Sequence, residues 1–525
     1  MFARKARWPV MAAAITGLLL SACAPTTTTG GGSPTPGASP ATTVLRMARN
    51  AEPFSPFVPW QIDDNPALFI SVNVYDTLLR TTKDGTNVEP GLATKWESSA
   101  DGLTWTFTLR DGLKFSDGSA MKASDVKASL DMARGGEKSA WKDVYKAIKD
   151  ITASDDKTVK ITLSQPYAPL LSVLAMFSGG VLPADMAKAT DTKDYDNTLA
   201  WKTKGTGAYY SEGWKKGDPI VLKRNTNYWK GTPSVSEVRI EYIPDDNTRV
   251  LKLQGGETDV VDFVPFSQIA ALNTQPNIKA QTFSIQQTAF VILNNSKPPL
   301  NDVKVRQAIN YAIPVAAIVP NVLLGYGAAM TSPVPALTPG HDATLSPYKQ
   351  NLDKAKELMK QAGVTQPVTL DLAVRIGWQP HEEAAVWIQR ELEKVGFKIN
   401  ITRQTDATFR QLASKGDLQL SIESWQSWVN DPFFHLVPLF HSTSKGTNTA
   451  FYSNPALDKI LDENYHEPNA EKRLAAAKAA QKIVIDDAVW GMLWYDNWTR
   501  VMRADLVGVE KRWDTFERFT AMKLA

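Results

Sequence analysis

Cysteine is nearly missing from this chain: there is one in 525 residues, Cys23. That excludes a disulfide within the chain, and a body of this length buries enough surface to do without one. Long apolar runs are missing too. After Cys23 no apolar stretch approaches the ~18 residues of a spanning helix, so none is expected in the body. Blocks of five or more basic residues are absent, which argues against nucleic acid as a partner. Histidine is scarce, with five in all. His381-Glu382 lacks a second histidine at zinc-helix spacing, and no Gly-x-Ser-x-Gly elbow or phosphate loop occurs. An exported hydrolase is the rival class these absences weaken; neither catalytic residues nor a cofactor are expected. His435 and His441, near Asp431, make too small a donor set, so no metal is expected. No repeat of 20–50 residues is visible, which sets aside a solenoid or propeller.

What is present begins at the amino terminus. Arg4, Lys5 and Arg7 precede an eleven-residue apolar run, Val10–Leu20, the length of a secretory core and too short to span a bilayer. Leu20-Ser21-Ala22-Cys23 follows and resembles a bacterial lipobox. The resemblance implies that Cys23 is lipidated and that residues 1–23 act as a lipoprotein signal peptide. Two or more acyl chains give stable anchoring, so the body is expected on the outer face of a bacterial membrane, the periplasmic side in a diderm cell. Residues 24–43, rich in Gly, Pro, Ser and Thr, read as a flexible tether. Removing residues 1–23 takes away three positive charges and no negative ones, so the formal net charge falls from +3 to zero.

Strand and helix patterns alternate along the body, which reads as an α/β fold of about three domain-sized units. The clearest block is 368–424. Val368, Leu370, Leu372 and Val374 alternate; Ala385, Ile388, Leu392 and Val395 follow at helical spacing with Gly396 as a stop; Phe397, Ile399 and Ile401 alternate again. A short helix capped by Thr405 or Asp406 leads to a third strand at Leu418, Leu420 and Ile422. Residues 351–362 make a further helix ending at Gly363. In open α/β sheets, ligands sit beyond the carboxyl ends of strands. Arg375-Ile376-Gly377-Trp378 leaves the first strand end and Trp425 through Asp431 leaves the third, so both are binding candidates; core packing is the competing reading for the tryptophans.

The segment 89–133 carries Pro90, Leu92, Ala93, Trp96, Asp101-Gly102, Trp105, Phe107, Leu109-Arg110, Phe115, Asp117-Gly118, Ala123 and Asp125-Val126. With EPFSPFVP at 52–59, GTGAY at 205–209, RNTNYW at 224–229, QGGETDVVD at 254–262 and DVKVRQAINYAI at 302–313, the chain resembles the family 5 extracellular solute-binding proteins, the dipeptide, oligopeptide and nickel receptors of ABC importers. The resemblance covers nearly the whole body. It implies a two-lobed fold like that of periplasmic binding proteins, of type II and the large cluster C kind, with an extra subdomain in the first lobe. Lobe I would be 44–285 plus 490–525, with the subdomain at about 86–204, and lobe II 286–489. Segments near Phe290–Asn295 and Trp490–Trp498 would be the hinge. The motif residues themselves read as structural: Trp105, Phe107 and Leu109 as core, and the Asp-Gly pairs as turns.

In peptide-binding members the stretch matching 425–432 reads Trp-x-x-Asp-x-x-Asp-Pro, and its first Asp grips the peptide ammonium. Here Trp425, Asp431 and Pro432 match, but Trp428 stands at that Asp. An indole gives a cation only about 2 kcal/mol at best, so the ammonium clamp is missing or has moved. Arg375 and Trp378 fall where dipeptide receptors receive the carboxylate, which a guanidinium can grip with two bonds. Sixteen tryptophans, with Trp60, Trp378, Trp425, Trp428, Trp494 and Trp498 at expected cleft positions, suit stacking on a ligand. The expected site is therefore Phe54, Trp60, Arg375, Trp378, Trp425, Trp428, Asp431, Trp494 and Asn497. As an Asp before Pro, Asp431 also reads as a turn residue. The expected function is a monomeric lipoprotein that captures a small-molecule solute and presents it to an ABC permease. The solute is a peptide or peptide-like molecule; an oligosaccharide held by stacking is one alternative, and a sensing lipoprotein that serves no permease is another.

Overall fold

The computed structural model describes residues 43–192, 200–345 and 348–524. The signal segment, Cys23 and residues 24–42 of the tether lie outside them. The body Thr42–Ala525 forms one compact unit. Among the described residues no helix is long and apolar enough to cross a membrane.

Two long strands organise the molecule, Ile278–Leu293 and Trp490–Arg503. They run antiparallel at the middle of an 11-stranded sheet. Ile278–Ser284 pairs with Asn497–Arg503, Thr288–Ile292 pairs with Trp490–Tyr495, and the register slips between Ser284 and Thr288. On one side of the slip Val260–Val261 joins Trp490–Arg503, followed by Val44–Arg49, Glu237–Tyr242, Ile220–Arg224 and Tyr209–Tyr210. On the other side Leu420–Gln426 pairs with Gln287–Leu293, followed by Val368–Arg375 and Phe397–Gln404. A bulge of this kind twists the strand pair; the strands on its Val260–Val261 side with what packs on them are the first half of the body, and those on its Leu420–Gln426 side the second.

The second half has a core on each face of its sheet, and strand alternation divides the side chains between them. Ala289, Val291 and Leu293 point to a core with Leu370, Leu372, Ile388 and Leu392, while Phe290 and Ile292 point to one with Phe433, Leu436 and Trp490. The pattern read over 368–424 is observed as strand Val368–Arg375, helix Gln379–Glu393, strand Phe397–Gln404, helix Asp406–Lys415 and strand Leu420–Gln426. Thr405 caps the second helix, accepting from the backbone N–H of Thr408, and Gly416 closes it in the left-handed region at φ 73°. The third strand runs on through Gln426, so Trp425 belongs to it instead of following it, because pairing with Gln287–Leu293 carries the strand past its last core residue.

The first half has one large core and a smaller second one that includes Ala48, Val250, Val261, Ile278 and Val501. It includes a separate four-stranded antiparallel sheet of Ala93–Ser98, Thr104–Leu109, Thr158–Leu163 and Ile148–Ala153. Phe107 and Leu109 are buried in the large core, Trp105 packs partly buried at its edge, and Asp101-Gly102 makes the turn between the first two strands, with Gly102 at φ 70°.

Candidate functional site

The stretch after Gln426 crosses from the second half to the first. Val429 is buried in the first-half core. The Gln426 side-chain N–H donates to the Asp514 carbonyl and to Thr515 Oγ1, both at 3.2 Å. Asn430 donates to the Gly85 carbonyl at 2.8 Å and accepts from Gln286 Nε2. Trp428 stacks on Phe516 with ring centroids 5.3 Å apart and planes 19° apart, and Phe177 meets it edge-on at 6.2 Å.

Beneath Trp428 lies a cavity of about 50 Å³. Its apolar wall is Met176, Phe177, Trp513 and Phe516; its polar wall is Ser71, Asp76, Arg80, Tyr228, Asp514 and Arg518. The charges form two linked sets. Asp76 accepts from the Trp229 indole at 2.8 Å and from Thr206 Oγ1 at 3.2 Å, and lies 3.7 Å from Arg80. Arg80 also donates to the Tyr228 hydroxyl at 3.2 Å. Asp514 takes two bonds from Arg512, at 3.0 and 2.8 Å, and accepts the Phe516 N–H. Against the upward pull of burial, Arg512 holds Asp514 below the usual carboxylate range. Arg518 comes last, 3.9 Å from Asp514. Burial, and then the Arg512 charge beside it, pulls its guanidinium down to about 9. Three buried atoms of residues lining the cavity lack hydrogen-bond partners: Arg518 Nη1, Trp513 Nε1 and Ser71 Oγ.

Of the residues expected at a site, the cavity gathers Trp428 alone. Trp425 packs on the second-half core, and its buried Nε1 has no partner. Arg375 is buried, with Asp406 at 3.2 Å, Glu423 at 3.8 Å, and its guanidinium over the rings of Phe409 and Trp378. Two carboxylates therefore already serve the arginine expected to receive one. Trp378, 38 % exposed, caps the helix Gln379–Glu393 and packs on His381, which burial holds neutral down to about 3. Asp431 is bound by Arg473 through contacts of 2.7, 2.8 and 3.1 Å and accepts the Phe433 N–H at 2.8 Å. Its lone pairs are spent within the protein, which favours the turn reading over contact with a ligand. Trp60 and Trp494 have no surface to offer: they fill the first-half core and a second-half core. Phe54 is 68 % exposed and Asn497 half-buried in its strand.

Two acidic or basic positions escaped notice in the sequence. Arg518 belongs to RWDTFERFT, 512–520, where arginines and acids alternate with aromatics too regularly for a solvated strand. Asp496 lies two residues beyond Trp494, whose indole donates to it at 2.7 Å, and burial raises it to about 7. Among the described residues no His, Cys, Asp and Glu cluster suited to a metal occurs; His441 is paired with Asp462, and His435 is buried against Trp490.

Comparison with known proteins places this geometry in context. Residues 87–447 match the model of the bacterial extracellular solute-binding proteins, family 5. The chain is 32 % identical over 455 residues to the probable D,D-dipeptide-binding periplasmic protein of Escherichia coli, covering 85 % of this chain and 87 % of that one. It is 30 % identical to heme-binding protein A of Haemophilus influenzae, covering 81 % and 84 %. Among solved structures, a periplasmic binding protein from Helicobacter pylori in complex with the peptide STSA superposes with a TM-score of 0.83 at 28 % identity, covering 92 % of this chain and 98 % of that one. These neighbours are two-lobed binding proteins of mixed α/β content, as expected from the sequence.

Proposed function

The chain belongs to the bacterial extracellular solute-binding proteins of family 5, and from that premise we propose that it captures a peptide or peptide-like solute between its two halves and delivers it to an ABC permease from a lipid anchor at Cys23. The family is one of binding proteins, and the reading assigns the chain no chemistry of its own. The observation that carries it is the crossing at 426–430: one short stretch binds the second half to the first and roofs a cavity with aromatic and polar walls. A solute touching Trp428 as well as the first-half walls favours the closed arrangement, and the slip between Ser284 and Thr288 is where a hinge would work. The lobes are proposed as 44–285 with 490–525, and 286–489, with Trp490 and Trp494 at the start of the returning strand packing into the cores of the second half.

Peptide-like solutes are favoured by two relatives, one described as a probable D,D-dipeptide-binding protein and one solved with a peptide. A sugar held by stacking remains the second reading, because Trp428, Trp513 and Phe516 offer ring faces. Mass spectrometry of the solute that copurifies, followed by calorimetry with short peptides and oligosaccharides, separates the two. Peptide binding at micromolar or tighter Kd is expected; saturation by an oligosaccharide and by no peptide would replace the first reading with the second. For the anchor, Cys23→Ser should release the protein from the membrane, and retention of the variant would refute lipidation.

A further inference from the structure

We propose that the solute carries an anionic group, a carboxylate in a peptide-like ligand, and that Arg518 receives it, with the indole N–H of Trp513, which lines the same cavity, as a second donor. This deepens the reading above and rests on it, because it takes the cavity under Trp428 as the place where the solute sits.

The argument is one of unequal pairing. Two guanidiniums line this wall, those of Arg80 and Arg518, with Arg512 behind Asp514; Asp76 and Asp514 are the carboxylates on the wall, and Glu89 acts on Arg80 from farther away. Asp514 already gives both oxygens to Arg512, so at 3.9 Å it offers Arg518 attraction without a hydrogen bond. Asp76 is committed to Trp229, Thr206 and Arg80. Glu510, the next acid, reaches Arg512 at 3.8 Å but is held by Lys83 at 2.7 Å. Arg518 is left with a buried Nη1 that donates to nothing, and two like charges stand near it. A guanidinium removed from water and short of an anion is costly, and proteins leave few buried donors unmet without a reason.

The second observation is independent of charge. Trp513 lines the same cavity, and its Nε1 is buried without a partner. An indole N–H can only donate. Two unmet donors, one cationic and one neutral, call for an acceptor that bears negative charge. The arginine as a whole keeps 18 % of its side-chain surface, while Nη1 itself is buried. At the other expected carboxylate site Arg375 Nε also lacks a hydrogen bond, but Asp406 at 3.2 Å and Glu423 at 3.8 Å give that guanidinium two carboxylates of its own. The acidic end of the solute therefore lies against the first half, under the Trp428 ring.

The test uses the full chain, freed of copurified solute, in calorimetry with a set of di- and tripeptides as free acids and as matched carboxyl-terminal amides. The acids should bind at least tenfold more tightly than the amides, and Arg518→Met should remove that difference while leaving the amides within twofold. Equal binding of acids and amides by the unmodified protein, or equal weakening of both by the substitution, overturns the inference and leaves peptide capture standing. If no peptide binds, the functional reading has failed first. The anion site is then decided by melting curves with millimolar acetate and benzoate: a rise in Tm that Arg518→Met abolishes supports it, and no rise overturns it.

Discussion

Two arginine–aspartate corners lie at the stretch 425–432, one formed by its own Asp431 and one by Asp514 across from it, and they are built differently. In the second half Arg473 and Asp431 are matched one to one: each oxygen of the carboxylate is taken by the guanidinium, and the remaining donors of Arg473 go to the Asn464 and Tyr465 carbonyls. In the first half two arginines, 512 and 518, share Asp514, and the second of them is left over. A closed pair holds the fold. An open one holds the fold less well and is ready for something else. Asp496, at the slip between the halves, is the mirror case: a half-buried carboxylate that no cation among the described residues pairs with, and whose value burial raises to about 7.

The largest effect expected from this contrast is on stability. Arg473→Met strands the Asp431 charge and should cost about 3–5 kcal/mol in denaturant unfolding, whereas Arg518→Met, which removes a cation with no full partner, should change stability by less than ~1 kcal/mol in either direction. Similar losses in both variants would erase the distinction between the corners.

Next comes a pH effect at Asp496. Its folded value lies above the unfolded one, so its contribution to stability is complete below about 4 and is lost as pH rises through about 7. Asp496→Asn should flatten that fall and leave the variant more stable than the parent at pH 8, by on the order of 2 kcal/mol. Parallel pH profiles of the two proteins would show that the carboxyl is ionised in the fold.

Trp428→Ala removes the roof of the cavity and should weaken solute binding by more than tenfold, about 1.4 kcal/mol or more, with the protein still folded by circular dichroism. Unchanged affinity would make Trp428 a packing residue between the halves. The smallest effect belongs to Trp378, which is partly exposed: Trp378→Ala should alter stability by roughly 0.5 kcal/mol and affinity by less than threefold. A tenfold loss would return the solute to the Arg375 side.

The contrast also marks what could be read ahead of the structure. The block 368–424 was legible because its signals are local: alternation, helical spacing, and Gly396, which takes the left-handed region at φ 100°. Trp428 was legible through the motif it interrupts. Trp60 and Trp494 were not, since an indole that fills a core looks the same in sequence as one that walls a cleft. Asp431 was half legible: its turn chemistry was visible, its partner Arg473 was not. Arg518 was illegible for a stronger reason. What sets it apart is a shortage of anions among neighbours drawn from Asp76, Arg80 and Arg512, and a shortage shows only when every local charge has been placed in space.

The most direct test is a crystal structure of the protein with the solute that copurifies with it. The account predicts an oxygen of an anionic group about 3 Å from Arg518 Nη1, below the Trp428 ring and touching both halves. Solute held between Arg375 and Trp378, with no contact to Arg518, would contradict it.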